Sequence, residues 1–215
     1  MSILSAASRP QPREGPGTTV AARAAAAHYD ARVEGSAQIR GTTLMSFRAY
    51  VEKTYGEGGF RRVLSALPAE DRAPFEGIVL ASAWYPVQAF VRAIGVATAA
   101  FGLELPERYG EFGAEYEIGR FFRFILRFSS PGWLFDRGTR VWRGTHSTGA
   151  WEIERKERFL RGSLASFAVL DPRYCRVLVG WIRRAALMTG ARSVKVEHPQ
   201  CRCNGAPACV FELSW

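Results

Sequence analysis

Lysine is nearly missing from this 215-residue chain: of 29 basic residues only Lys53, Lys156 and Lys195 are lysine, and the rest are arginine. Such a bias, on an Ala- and Gly-rich background, reads as genomic composition, so the basic pI of about 9.9 is weak evidence for a nucleic-acid partner. Long apolar runs are also missing. The longest uncharged stretch, Gly77–Val91, is interrupted by Pro86 and is shorter than the roughly 20 residues a bilayer crossing needs. Met1–Ser8 has no basic start and only a short apolar part, so neither export nor a membrane span is expected, and the expected location is cytoplasmic. Gly56-Glu57-Gly58-Gly59 lacks the Lys-Ser/Thr that completes a phosphate loop, and no Gly-x-Ser-x-Gly elbow presents a nucleophile. Catalytic residues are therefore not assigned. Cysteine is scarce, with four residues at 175, 201, 203 and 209. Their clustering in an unexported chain favours metal over a disulfide framework.

What is present suits one globular domain. Hydrophobic residues make up 47% and charged residues 23%, ordinary values for a folded soluble chain. Residues 1–43 are rich in Pro, Gly, Ser, Ala and Arg and poor in large apolar side chains, so they read as a mostly disordered tail, with a marginal helical turn at Ala21–His28. Residues 44–215 form the expected domain. Residues 131–215 carry 14 cations and 7 anions, a surplus that fits either an anionic partner or a solvated face. Arg173, Arg176, Arg183 and Arg184 lie on one predicted helix with no helix-turn-helix around it, so nucleic acid is not expected.

Hydrophobic spacing predicts four helices before residue 130. Thr43 reads as the N-cap of the first, with Leu44, Phe47 and Val51 on one stripe until Gly56–Gly59 breaks it. Phe60, Val63, Leu64 and Leu67 form the second, Val87–Phe101 the third, and a stripe after Pro106 through Phe121, Phe124, Ile125 and Phe128 the fourth. After Pro131-Gly132 the pattern alternates, and Arg140–Arg143 is expected to pair with Trp151–Glu157 as a hairpin. Asp171-Pro172 opens a long helix that closes at Gly190, and Val194–His198 and Cys209–Trp215 read as two short strands. The expected fold is α+β, with N-terminal helices packed on a C-terminal antiparallel sheet and one long helix.

Alternation puts Val194, Val196 and His198 on one strand face and Cys209, Phe211, Leu213 and Trp215 on the facing one, while Cys175 shares a helical stripe with Leu178, Val179 and Ile182. Cys175, His198, Cys201 and Cys209 then supply a Cys₃His set for a closed, structural zinc, with Cys203 as a spare. Reduced buried thiols and a disulfide remain the alternatives.

The stretch Val194-Lys195-Val196-Glu197-His198, followed by Cys201-x₃-Gly205-x₃-Cys209-Val210-Phe211, resembles the signature of the 4-vinyl reductase domain, a small-molecule-binding module. The resemblance carries the structural zinc site onto the same four residues, with His198 where that family usually has Glu. Upstream, Arg48–Glu52, Trp84-Tyr85-Pro86, Tyr116–Arg120 and Pro131–Leu134 resemble uncharacterised myxobacterial proteins of the broader superfamily, which includes haem-dependent nitric oxide sensors and Bet3-like proteins. The resemblance implies an α+β fold, commonly dimeric, with an apolar ligand pocket. Haem itself is not expected: His28, His146 and His198 are the three histidines, none is read on an apolar helix face, and the Tyr-x-Ser-x-Arg arrangement of the nitric oxide sensors is missing.

Phe90, Ile94, Tyr116, Phe121, Phe124 and Phe128 are the expected pocket residues, since more large aromatics sit on these helices than two core stripes require; a plainly filled core is the other reading. The functional expectation is a non-enzymatic sensory or signalling module that binds an apolar small molecule, forms a homodimer and acts through a downstream partner protein. An accessory factor to a tetrapyrrole reductase, or a scaffold with no ligand, is the alternative.

Overall fold

The computed structural model describes residues 37–215, with only the backbone of residues 120–125. The segment 1–36, including the helical turn expected at Ala21–His28, lies outside the described residues, as do the side chains of Phe121 and Phe124. The fold is α+β, and the described residues form seven α-helices, a two-stranded ribbon and a four-stranded antiparallel sheet.

Strand β1 (Gln38–Arg40) pairs antiparallel with β2 (Trp84–Pro86), so chain assigned to the tail is structured from residue 38. Helix α1 (Gly41–Ser65) starts directly from β1, with Arg40 rather than Thr43 at its cap. That start is fixed by packing. The Arg40 side chain lies 4.0 Å over the Trp84 ring and donates to the Gly144 carbonyl, while a Cβ at Gly41 would sit 2.1 Å from the Leu80 carbonyl oxygen. Gly56 takes φ 75° and kinks α1 where the break was expected, a conformation open to glycine because it lacks Cβ.

The short α2 (Ala69–Arg72) precedes α3 (Val87–Phe101) and α4 (Leu105–Leu126), and α4 carries a second glycine kink at Gly119, φ 67°. Phe47, Phe90 and Tyr109 hold α1, α3 and α4 together with ring centroids 5.4–5.8 Å apart, mostly edge to face. Next come α5 (Pro131–Asp136), capped by the Ser130 side chain, and α6 (Gly138–Thr145). The hairpin expected between Arg140–Arg143 and Trp151–Glu157 is corrected here. Trp142 is the one buried residue of α6, so this polar segment closes as a helix that seats a single ring, and β3 (Ala150–Lys156) pairs instead with β4 (Phe159–Ala165). Their tight turn places Arg158 at φ 52°, with no glycine or asparagine to announce it.

Helix α7 (Pro172–Met188) begins as expected, with the Asp171 side chain accepting from the Arg173 amide at 2.8 Å, and Gly190 follows its end at φ 87°. Strands β5 (Lys195–Gln200) and β6 (Cys209–Ser214) complete the sheet, in the order β3-β4-β6-β5. Helices α4 and α7 make the most extensive pairing in the fold. They approach at glycines: a Cβ at Gly110 would meet the Val177 carbonyl oxygen at 2.0 Å, and one at Gly180 the Glu107 oxygen at 2.0 Å. Flanking this crossing, Arg183 bridges Glu107 and Glu111 while Arg184 pairs with Glu115. Among the described residues, no helix is long and apolar enough to cross a membrane.

Candidate functional site

Two features meet at α7 and the sheet. The first is a cluster of thiols and an imidazole. Alternation along β6 buries Cys209 with Phe211 and Leu213, and the loop after β5 turns Cys201 back toward it through Gly205, which adopts φ 85°. Cys175, one residue inside α7 from Tyr174, faces the same point. The ligand atoms of Cys175, His198, Cys201 and Cys209 all lie within 4.8 Å of one another. Cys175 Sγ is 3.8 Å from both Cys201 Sγ and Cys209 Sγ. Metal–sulfur bonds of about 2.3 Å would set the thiolates of a tetrahedron about 3.8 Å apart, so this spacing suits a four-coordinate ion.

The imidazole fits the same reading. His198 Nδ1 lies 2.8 Å from the Val210 carbonyl and donates to it, which leaves the buried Nε2 beside the thiols; burial lowers the imidazole, but bonding to Cys209 and Cys201 outweighs it and lifts His198 to about 9. Its ring stacks on Phe211 with centroids 4.4 Å apart. Cys175 and His198 hold the Cys209 thiol at about 4, against the effect of burial, while hydrogen bonding to Cys209 and burial push Cys175 far up. Cys203 is exposed and stands outside the cluster.

The second feature is a cavity of about 120 Å³ between the helices and the sheet. Trp151, Ile153, Leu160, Phe211 and Leu213 form its floor; Phe90, Leu134, Val177, Leu178 and Ile182 form its apolar helical wall. A cavity of this order holds a benzene-sized guest. Its polar rim is made by Thr43, Tyr109, Glu117, His146 and Tyr174. His146 follows α6, stacks on Trp142 at 3.6 Å, and bonds Thr145 Oγ1 through Nδ1 and Tyr174 Oη through Nε2, at 2.8 and 2.6 Å. Burial pushes it down to about 3, so it is an uncharged imidazole. Glu117 Oε1 accepts from Thr43 and Ser46 at 3.4 Å and Oε2 from the Trp181 indole at 3.2 Å; burial raises its carboxyl to about 7, against the pull of those bonds.

Of the residues expected in a pocket, Phe90 lines the cavity and Ile94 is buried in the adjoining core. Tyr116 and Phe128 are corrected: they are 41% and 81% exposed, Tyr116 on the outer side of α4 and Phe128 in the turn beyond its end. Glu117, His146 and Tyr174 were missed. Nothing in the spacing separates Glu117 from the other glutamates of α4, and the strand assigned to residues 140–143 hid the helix that delivers His146.

No family model matches the sequence, and no curated protein matches it. The fold does have solved likenesses. An H-NOX domain from Shewanella oneidensis in its Fe(II)CO state superposes with a TM-score of 0.62 at 13% identity, over 82% of this chain and 98% of that one. An H-NOX protein from K. algicida, Fe(II) unliganded, superposes at 0.61 with 11% identity, over 82% and 96%. Further neighbours were solved in studies of haem distortion, one of them in the H-NOX family.

The cofactor expectation, zinc with haem excluded, is corrected by these neighbours, since the fold is one in which related architectures hold haem. Among the described residues no helix face carries a histidine toward the cavity, but His146, just after α6, lines it as a neutral imidazole, a type of donor that haem iron takes. As placed, the residues do not accommodate a porphyrin: both nitrogens of His146 are engaged, and the cavity is smaller than the roughly 300 Å³ at which drug-sized pockets begin.

Proposed function

We propose that the chain is a non-enzymatic sensory module in which an apolar small molecule occupies the cavity between the helices and the sheet, and its occupancy is passed to a partner protein. The observation that carries this reading is the cavity itself, a largely apolar space walled by both layers of the fold and bordered by a few polar groups. The H-NOX fold supports it as analogy.

Cys175, His198, Cys201 and Cys209 hold a four-coordinate metal ion in this reading. Such an ion would tie α7 to the β5–β6 end of the sheet. Tyr174, beside Cys175, and Phe211, under His198, both line the cavity, so the clamp and the binding space share their walls.

The test is thermal unfolding of the full chain against toluene and short acyl and aromatic compounds, with haemin titrated in parallel. The proposal expects a rise in midpoint of mass-action form, about 2.7 kcal/mol at a hundredfold excess over Kd. No shift with any compound overturns it, and a Soret band with one haemin per chain would replace the small guest with a porphyrin.

A further inference from the structure

Within the apolar cavity, one group is poorly served. Glu117 is the acidic residue of its wall, and among the described residues no arginine or lysine pairs with it. Among the described residues its three donors stand at 3.2–3.4 Å, whereas hydrogen bonds to a carboxylate are ordinarily about 2.7–2.9 Å. A carboxylate with about four acceptor sites is thus left with long contacts only. The other rim groups are satisfied: His146 is bonded on both nitrogens, Tyr174 takes one of them, and Tyr109 bonds Ser46 and the Thr43 carbonyl at 2.9 and 3.2 Å.

We propose that the guest of this cavity is an apolar amine, its ammonium taken by the Glu117 carboxylate at the junction of α1, α4 and α7, with its hydrocarbon body against Phe90, Trp151 and Phe211. Two features agree. A carboxylic acid guest would meet Glu117 as a like charge, and a hydrocarbon without a donor would leave its deficit in place, while a neutral hydroxyl would meet it with a weaker, uncharged hydrogen bond. The carboxyl's rise to about 7 makes it a burden on the folded chain, which a bound ammonium would relieve. This inference rests on the cavity being a binding site.

Calorimetric titration of the full chain above pH 7 with benzylamine, benzyl alcohol, toluene and benzoate tests it, with Glu117→Gln as the matched variant. The expected result is that benzylamine binds at least about tenfold more tightly than toluene, the effect of one charged hydrogen bond, and falls to the level of toluene in Glu117→Gln. Toluene should bind both proteins alike. In wild type, benzylamine affinity should also fall well below pH 7 while that of toluene holds. Facing Glu117 are Thr43 and Ser46 of α1, Tyr109 of α4, Tyr174 and Trp181 of α7 and His146 after α6; of the titratable ones, His146 stays neutral and the tyrosines stay protonated there, leaving Glu117 to titrate. Toluene or benzyl alcohol binding as tightly as benzylamine, or benzylamine indifferent to both Glu117→Gln and pH, overturns the amine while sparing the cavity. No binding by any of the four overturns both.

Discussion

Cys203 and Cys209 share a loop and differ in everything that matters to stability. Cys209 is buried against Cys175 and His198, while Cys203 faces solvent. If a metal is held there, its binding energy is folding energy. Cys209→Ser should therefore lower the unfolding free energy by several kcal/mol and abolish metal retention, while Cys203→Ser should change both little; metal analysis beside thermal melts checks this.

Glu117 predicts a second outcome. Its carboxyl is raised from 4.5 to about 7, so between those values the folded chain keeps a proton that the unfolded chain has released. Its contribution is full below pH 4.5, declines across that window, and above pH 7 stands as a penalty on the order of 3 kcal/mol. Glu117→Gln should thus be more stable than wild type above pH 7 and equal to it near pH 4, as read from denaturant midpoints. His146 acts oppositely: lowered from 6.5 to about 3, it costs stability as pH falls through that range in both proteins. The cysteine cluster was legible because alternation and the Gly205 turn are written in adjacent residues. Glu117 was not, because Glu107, Glu111 and Glu115 recur at helical spacing toward the arginines of α7 and only packing turns the next glutamate inward.

Among elements, the α4–α7 crossing is the joint on which the cavity depends. Gly110 and Gly180 let the two backbones touch, and an added Cβ at either meets carbonyl oxygen rather than a yielding side chain. Gly180→Ala should cost about 3 kcal/mol or more, despite alanine's better helix propensity of about 1 kcal/mol, and should weaken guest binding as the helices part. Equilibrium denaturation of the variant measures it. Both helices were readable from their stripes and from the cap at Asp171, yet their intimacy was not, since a glycine within a helical stripe signals only a weak former until its neighbour is known. The α6 segment shows the converse. Its one buried residue, Trp142, donates its indole to the Thr148 carbonyl at 2.8 Å, and so sparse an apolar pattern resembles a strand as readily as a helix.

For the molecule as a whole, an α+β layering of helices on an antiparallel sheet was written in the switch from helical to alternating spacing after Pro131-Gly132. The hollow between the layers was not, because aromatic residues at helical spacing fill a core or line a void with the same sequence. Val177 stands on that boundary, buried in α7 and facing the cavity. The most direct measurement is thermal unfolding of Val177→Phe against wild type, each with and without saturating toluene. The account predicts that the larger side chain is accepted with a midpoint close to wild type, because it grows into empty space, and that the toluene-induced rise seen in wild type disappears. A packed interior would instead lose about 1–3 kcal/mol to overfilling. Such a loss in the variant, with no toluene response in wild type, would contradict the cavity and the function drawn from it.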